Sequence, residues 1–231
     1  MLLSIVTGTV DRRHSIQKFV DSVREHTTVD YELLIIDAGN RPLQISLPPQ
    51  ARIIPERPRK TYVAGYNAAF AECRGEFVCW MNDDAEVTQG WDVAAIEFMR
   101  AHPEVGLGCL PFSDPAWSGF KVCEMWGLPY ANFGIIRREI GNEIGWFDSD
   151  LTMYGSDNAI SFKVLLAGHG LAPIKNSKIV HHRVQDGVRQ RNQPPRHQDG
   201  RTVTLRYSPQ LRRLLKTFWK LLPETEDCAY I

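Results

Sequence analysis

The stretch EFVCWMNDDAEV, residues 76–87, indicates the fold class and marks a candidate site. Residues 77–81 form an uninterrupted apolar run, which predicts a strand that is buried on both faces. The run stops at Asn82, Asp83 and Asp84. Two adjacent carboxylates repel each other, and burying them without a partner is costly. The sequence therefore raises the question of what these carboxylates meet at the end of a core strand.

Apolar strands and amphipathic helices alternate on both sides of this stretch. Buried strands are predicted at 2–6, 31–37, 51–58 and 105–112, a strand running into a short helix at 130–140, and a late strand at 177–182. Helices are predicted at 14–26, 61–75, 90–102, 156–170 and 208–222, the last with Pro209 near its start. The polar segment 183–201, broken by Pro and Gly, is expected to be a mobile loop. This order predicts an α/β fold whose mostly parallel sheet is flanked by helices.

The composition limits the classes of function. A chain of 231 residues with 43% hydrophobic residues can form one sizeable core. Its formal net charge of zero argues against a global field for nucleic acid, although residues 183–220 contain ten Arg or Lys against two Asp. The five scattered cysteines show no metal-binding spacing and predict reduced thiols. Without a signal peptide or membrane span in the sequence, we expect a cytoplasmic protein, or one attached to the inner face of a membrane.

Polar clusters follow three of the predicted strands, and in open α/β sheets ligands bind beyond these strand ends. The cluster at Asp83 and Asp84 suits a hard divalent cation, because Mg²⁺ and Mn²⁺ prefer carboxylate oxygens. A solvated turn is the alternative, since Asp and Asn favour turns. His181 and His182 end the late strand and would point to opposite faces, so one could face the metal while the other is structural.

Four segments in the same order resemble the nucleotide-sugar glycosyltransferases of family 2, which have the GT-A fold. They are SIVTGTVDRR, LLIIDAGN, GYNAAFAECRGEFVCWMNDDAEVTQGW and IGNEIGWFDSDLTMYGSDNAISFKVLLAGHG. The first two resemble the opening strand with its nucleotide loop and a second strand that usually ends in Asp-Asp-Gly-Ser. The third resembles the segment that carries the Asp-x-Asp metal motif, and the fourth resembles the acceptor half. The resemblance covers roughly the first 180 residues and implies a Rossmann-like GT-A sheet with a basic helical tail.

The resemblance implies a role for several residues near the nucleotide and the metal. The nucleotide-binding residues would be Thr7, Gly8, Thr9, Asp37, Asn67 and Asp83. Asp37 would hydrogen-bond the base, and Asp83 would contact the sugar or ribose. The ligands of Mn²⁺ or Mg²⁺ would be Asn82, Asp84 and one of His181 and His182.

The family's catalytic base comes from an acidic pair, usually Glu-Asp, and Ser156-Asp157 occupies the matching position. Asp157 would therefore be the general base, for which it must be ionised. It could equally be a carboxylate that stabilises the start of the helix that follows. The Asn at position 82 and the Ser at position 156 depart from the family pattern, which leaves open a catalytically degenerate relative.

The acceptor is expected to bind through Trp117, the preferred platform, and Trp126, because aromatic faces suit sugar rings. Arg183 and Arg189 could close over the diphosphate as a lid, or belong to a solvated basic loop. We expect a nucleotide-binding part at about 1–112, an acceptor-binding part at about 113–182, and a C-terminal helix within 183–231 packed on the same domain. That helix could instead contact a membrane or a second subunit.

The resemblance thus implies an inverting, metal-dependent hexosyltransferase of class EC 2.4 that adds one sugar at a time. A UDP-sugar is the favoured donor, with dTDP- or GDP-sugars as alternatives, and the acceptor would be a glycan or a lipid-linked sugar. A catalytically degenerate nucleotide-sugar binding module is the second hypothesis. A nucleotide-dependent enzyme of another type is the third, but the sequence lacks the G-x-G-x-x-G pattern of a dinucleotide-binding loop.

Overall fold

A computed structural model describes residues 1–187 and 195–218. The strands are β1 (Leu3–Thr9), β2 (Tyr31–Asp37), β3 (Ala51–Pro55), β4 (Phe77–Asn82), β5 (Ala85–Val87), β6 (Val105–Cys109), β7 (Phe112–Ser113), β8 (Cys123–Met125), β9 (Leu128–Tyr130), β10 (Gly134–Arg137), β11 (Gly170–Pro173) and β12 (Ile179–His181). The helices are α1 (Arg13–His26), α2 (Tyr62–Ala71), α3 (Trp91–Ala101), α4 (Arg138–Ile144), α5 (Ser156–Leu166) and α6 (Pro195–Phe218).

In the described part of the chain, seven strands form the central sheet in the order β11-β6-β10-β4-β1-β2-β3. Its pairs are parallel except where β10 runs antiparallel between β4 and β6. The predicted α/β class and mostly parallel sheet are confirmed. The stretch 76–87 breaks after Asn82, because β5 leaves the central sheet and pairs with β12, which also pairs with β7.

Apolar residues cover both faces of the sheet, as the near-continuous apolar strands predict. On one face, alternate residues of β1, β2 and β4 pack against α1 and α3. On the other face, the intervening residues pack against α2, α5 and α6. The period of two along each strand thus divides the core into two layers.

An aromatic cluster fills the layer between β4 and α2. Its members are Tyr62, Tyr66, Phe70, Trp80, Trp146 and Phe147, with ring centroids 4.2–6.5 Å apart. Tyr66 also donates a hydrogen bond to the carbonyl of Met81 and accepts one from the N–H of Gly8. The cluster therefore ties α2 to the ends of β1 and β4 and makes one wall beside these strand ends apolar.

The predicted start of the last helix, near Pro209, is wrong. Helix α6 begins at Pro195 and contains Pro209 in its interior, so the end of the expected loop 183–201 is helical. Val203, Tyr207 and Leu211, spaced four residues apart, form a buried stripe within the layer that includes α5. This packing stabilises a helix across a proline that local sequence rules treat as a stop. None of the helices in the described residues is long and apolar enough to cross a bilayer.

Gly134 offers a test of the packing in this core. A Cβ added there would lie 2.6 Å from two carbons of the buried Trp80 ring and 2.8 Å from the Cβ of Ala131. We predict that Gly134→Ala lowers the free energy of unfolding by about 1–3 kcal/mol through overpacking, as measured by urea denaturation. Gly200→Ala within α6 is the control, since nothing lies within 4 Å of its added Cβ and alanine favours a helix, so it should not lower the free energy of unfolding. An absence of stability loss in Gly134→Ala would contradict the packing described.

Candidate functional site

A cavity of about 260 Å³ opens at the carboxyl ends of β1, β2 and β4, where open α/β sheets bind ligands. The structure brings seven of the sequence-predicted site residues to its lining: Gly8, Thr9, Asn82, Asp83, Asp84, Asp157 and His181. These residues come from β1, the β4–β5 turn, the start of α5 and the end of β12. The topology thus gathers into one cavity side chains that are as much as 170 residues apart in the chain.

Asp84 and His181 form a buried pair at this cavity. The Nε2 atom of His181 lies 3.3 Å from Oδ1 of Asp84, and both side chains are less than a tenth exposed. The backbone also joins them, because the N–H of His182 donates to the carbonyl of Asp84 and the N–H of Val184 donates to its Oδ2. Burial acts to raise the pKa of Asp84, but His181, the Val184 N–H and Arg12 outweigh it and lower the pKa.

Asp114, just after β7, lies behind His181. Its Oδ2 is 3.5 Å from Nδ1 of His181, and its Oδ1 accepts a hydrogen bond from Arg183. Nδ1 itself is buried and makes no hydrogen bond within the described residues. A carboxylate on the far side of an imidazole commonly orients the ring and raises its basicity when the near nitrogen binds a cation. No sequence motif indicated Asp114, since β7 is only two residues long.

Asp83 makes a different set of contacts from Asp84. Its Oδ2 accepts from the hydroxyl of Thr9 at 2.7 Å, and its Oδ1 pairs with Arg12 at 3.0 Å. Arg12 also bridges to Asp186. Burial raises the pKa of Asp83 from its ordinary 3.8 to about 6, although Arg12 and Thr9 favour the ionised form. The two adjacent carboxylates therefore have different partners. Asp83 pairs with the guanidinium of Arg12, and Asp84 pairs with the imidazole of His181.

Asp157 opens α5 on the apolar side of the cavity. Burial raises the pKa of its carboxyl from 3.8 to about 8. The indole N–H of Trp80, which is buried and makes no hydrogen bond within the described residues, does not offset this shift. We expected Asp157 to need an environment in which it ionises freely, whereas desolvation of the carboxyl makes ionisation harder than that. A carboxyl with a pKa near the operating pH is nevertheless well matched to proton transfer.

Helix α6 fixes the loop that leads to Asp157. Asp199 is 3% exposed and accepts hydrogen bonds from the backbone N–H groups of Thr152, Met153 and Tyr154, and from the Thr152 hydroxyl. Gly155 then turns into α5 with a φ of 75°, in the left-handed region that favours glycine. The C-terminal helix thereby positions the start of α5, a role that the sequence did not reveal.

Three of the predicted nucleotide-binding residues do not line the cavity. Thr7 is fully buried inside β1. Both carboxylate oxygens of Asp37 are occupied, one by the N–H of Gly39 and the other by the N–H of Leu43 and the guanidinium of Arg57. The amide of Asn67 makes two hydrogen bonds with the backbone of Phe147, just after α4. Asp37 and Asn67 therefore stabilise the loops around the cavity, whereas the buried hydroxyl of Thr7 makes no hydrogen bond within the described residues.

The other predicted residues that the structure describes lie outside the cavity lining. His182 is 43% exposed and its Nε2 is 2.7 Å from Glu86, so of the two histidines only His181 faces the cavity. Trp117 packs edge-on against Phe112 at 5.4 Å, whereas Trp126 is 41% exposed and stacks on Phe162 at 5.3 Å. Arg183 pairs with Asp114. Arg189 lies outside the described residues.

Sequence reasoning missed a charged and aromatic group on the opposite side of the cavity. Its members are Glu56, Arg59, Lys60, Tyr62 and Tyr66. Glu56 directly follows β3, so the rule that drew attention to Asp84, a polar residue at the end of a strand, applies to it as well. Burial raises the pKa of Glu56, while the Lys60 N–H and the charges of Lys60 and Arg59 act to lower it.

The lining fits a divalent cation that is shared with an oxygen-rich ligand. Asp84 Oδ1 and His181 Nε2 are 3.3 Å apart, close to the roughly 3 Å between neighbouring ligands of an octahedral ion with bonds of about 2.1 Å. Carboxylate and imidazole both suit Mn²⁺. Within residues 1–187 and 195–218 no cluster of three His, Cys, Asp or Glu side chains could hold an ion alone. Water or phosphate oxygens would have to complete the coordination shell.

The chain is similar to known proteins in both sequence and fold. Residues 4–156 match the sequence model of the family described as "Glycosyl transferase family 2". The "Uncharacterized glycosyltransferase YwdF" of Bacillus subtilis (strain 168) is 24% identical over 182 residues, which are 67% of this chain and 65% of that protein. The chain thus spans less than two thirds of the length of this curated relative.

Solved structures share the fold at low sequence identity. S. aureus TarS 1-349 superposes with a TM-score of 0.65 at 15% identity, covering 79% of this chain and 60% of TarS 1-349. The mannosyltransferase PcManGT from Pyrobaculum calidifontis, in complex with GDP-Man and Mn²⁺, gives 0.62 at 14% identity, covering 80% and 58%. GalNAc-T7 with UDP, GalNAc and Mn²⁺ gives 0.67 at 14% identity, covering 80% and 44%. These likenesses confirm the expected GT-A fold.

The raised pKa of Asp157 should make the stability of the protein depend on pH. Because the folded state binds this proton more tightly than the unfolded chain, its contribution to stability falls as pH rises from about 4 to about 8. Asp157→Asn keeps the shape without the charge, so its melting temperature should exceed that of the wild type by a margin that grows from pH 5 to pH 8 and then levels off. Thermal unfolding across this range measures the margin, with Asp21→Asn on the exposed surface of α1 as control. A margin independent of pH would contradict the burial of this carboxyl.

Proposed function

The chain belongs to glycosyl transferase family 2, and we propose that it moves a single sugar, with inversion, from a nucleoside-diphosphate sugar to an acceptor hydroxyl. The observation that carries this proposal is one cavity lined by both the Asp84–His181 pair and the Asp157 carboxyl. The first group suits a cation and a diphosphate, and the second suits a hydroxyl that loses its proton. Glycosyl transfer from a nucleotide-sugar needs both functions within the length of one substrate.

Asp84 and His181 would hold the divalent ion, Mn²⁺ or Mg²⁺, with Asn82 beside them. When bound, such an ion neutralises the charge that develops on the departing nucleoside diphosphate. Arg12, Arg59 and Lys60 add positive charge to the lining. Arg12 is already paired with Asp83 and Asp186, so its position is fixed before any anion arrives. The charge of the substrate is thus met by preorganised groups.

Asp157 would act as general base on the acceptor hydroxyl. Once ionised, a carboxylate with a pKa of about 8 takes a proton more readily than one near 4, and such a base contributes roughly 10²–10⁴-fold to the rate. Attack on the face opposite the leaving group gives inversion. The bonds from Asp199 to residues 152–154 fix the loop that precedes Asp157, which favours a defined position for the base.

The acceptor would approach from the part formed by about 113–182. Met153, Tyr154 and Asn132 line the cavity on this side, next to Asp157. Trp126 presents the more open aromatic face of the two predicted platforms. The proposed class of acceptor is a glycan or a lipid-linked sugar. The nucleotide-binding part would be about 1–112, and the protein would work in the cytoplasm or at the inner face of a membrane.

A catalytically degenerate nucleotide-sugar binding module is the alternative. Asn82 in the metal motif and Ser156 beside Asp157 favour it, since each replaces a carboxylate that the family usually carries. The Ser156 hydroxyl donates to the carbonyl of Met153 and so supports the turn instead of the chemistry.

Donor hydrolysis and transfer test the proposed function. We predict that the purified protein with Mn²⁺ cleaves at least one UDP-, dTDP- or GDP-sugar, at a rate that rises with pH through about 8 as Asp157 ionises. Asp157→Asn should lose about 10²-fold or more in rate while retaining nucleotide affinity. Binding without cleavage in the wild type would support the binding module instead. Unchanged cleavage in Asp157→Asn would exclude Asp157 as the base.

Alanine variants of His181 and His182 form a matched pair that tests the proposed metal site. We predict that His181→Ala weakens Mn²⁺ binding in the presence of a nucleoside diphosphate about tenfold or more, because it removes a ligand. His182→Ala should leave this affinity unchanged, since that ring contacts Glu86 at the surface. Isothermal titration with Mn²⁺, or its electron paramagnetic resonance signal, measures both. An equal loss in the two variants, or none in His181→Ala, would contradict the assignment.

A further inference from the structure

The exposed side of α6 carries positive charge that no carboxylate of the described residues balances. The sequence has six Arg or Lys and no Asp or Glu between residues 200 and 223. Arg201 and Arg212 are exposed, and neither forms an ion pair within the described residues. Asp199, the acidic residue of this helix, is buried and is occupied by the backbone of the loop 152–154. The exposed side of α6 is therefore a basic surface.

Leu205 lies at the centre of this basic side. It is 67% exposed, the most of any large hydrophobic side chain in the described residues. It stands two positions from both Val203 and Tyr207 of the buried stripe, and two residues rotate a helix by about 200°, so Leu205 faces away from the core. Arg201 and Arg212 lie four and seven residues from Leu205, spacings that place them on the same side. These three residues are called the outer face of α6 below.

The fold does not account for this outer face. Arg206, which is directed toward the domain, pairs with Asp148, and Asp199 positions the loop before Asp157. These residues attach α6 to the domain without the outer face. The helix also lies beyond residues 4–156, which match the family model. Neither packing nor family membership thus explains an exposed leucine between two arginines.

The helix begins beside the acceptor side of the cavity. The guanidinium of Arg196 lies 6.0 Å from the centroid of the Tyr154 ring, and Tyr154 lines the cavity together with Asp157. A helix of 24 residues is about 36 Å long. A partner bound along α6 would therefore extend from the acceptor side of the cavity across the surface of the domain.

An anionic lipid surface fits this face better than the other partners that a basic helix can bind. Its headgroups supply negative charge for Arg201 and Arg212, and its interfacial region accepts an apolar side chain such as Leu205. A soluble polyanion would pair with the arginines but leave the leucine in water. A second copy of this chain would bring like charges together across a two-fold axis. Charge and hydrophobicity together favour a membrane.

We propose that the outer face of α6 docks the protein on an anionic membrane surface. The contact is peripheral, with Leu205 in the interfacial region and the two arginines at the headgroup phosphates. This inference goes beyond the proposed function, because docking needs neither the donor nor the cation. Where both hold, docking would bring a lipid-linked acceptor to the side of the cavity where Asp157 lies.

Sedimentation with sucrose-loaded vesicles tests the docking. We expect the full chain to bind vesicles of phosphatidylcholine with about 30% phosphatidylglycerol about tenfold or more tightly than vesicles of phosphatidylcholine alone. The double variant Arg201→Glu, Arg212→Glu should lower the affinity for the anionic vesicles about tenfold or more, because each arginine near such a surface contributes a factor of about five. Lys18→Glu with Arg24→Glu, exposed on α1, is the charge-matched control and should keep the wild-type affinity.

Leu205→Ser distinguishes a membrane from a soluble polyanion. It should weaken binding to the anionic vesicles about fivefold or more and leave binding to heparin unchanged, because only the bilayer buries this side chain. The side chains replaced in all these variants are exposed, so their melting temperatures should match that of the wild type.

Equal affinity of the wild type for the two kinds of vesicle, or an equal loss in the α1 control, would overturn the proposal. An unchanged affinity of Leu205→Ser for the anionic vesicles would overturn it in favour of a soluble polyanion. A wild-type dimer that binds no vesicles and that Leu205→Ser makes monomeric would overturn it in favour of a second copy. Donor cleavage without vesicle binding would remove this inference alone, whereas vesicle binding without donor cleavage would remove the proposed function alone.

Discussion

The pairing of Asp84 with His181 is the constraint on which the rest of the site depends. Almost a hundred residues separate the two along the chain, and they meet because β5 turns away from the central sheet and pairs with β12. The carbonyl and both carboxylate oxygens of Asp84 all have partners in residues 181–184. The small sheet β5-β12-β7 therefore fixes a carboxylate and an imidazole at the rim of the main sheet, with Asp114 behind the imidazole.

The three carboxyls at the rim have different environments and so different protonation behaviour. Asp84 is held ionised by His181 and the N–H of Val184, Asp83 pairs with Arg12 while burial raises its pKa, and desolvation raises the pKa of Asp157. Groups whose environments separate their pKa values in this way can take separate tasks, one toward a cation and one toward a proton. The burial that costs stability at Asp157 is the same burial that makes it a stronger base.

The sequence predicted much of this architecture because strand signals depend on local apolar runs. It indicated Asp84, Asp157 and one of His181 and His182, each at the end of a strand or the start of a helix. It could not show that Asp37 is used by its own loops, since that depends on the remote Arg57. The first half of helix α6, before Pro209, was missed for a related reason. Its buried stripe has meaning only against α5, and local rules read the Pro and Gly residues within it as breaks.

The proposed site requires a divalent ion and a diphosphate to share the rim between Asp84 and His181. Anomalous diffraction at the manganese edge, from a crystal grown with Mn²⁺ and UDP or GDP, tests this arrangement. We expect one strong peak within bonding distance of Asp84 Oδ1 and His181 Nε2 and in contact with the phosphate oxygens. A nucleotide bound in the cavity with manganese on other residues, or with no manganese at all, would rule this site out.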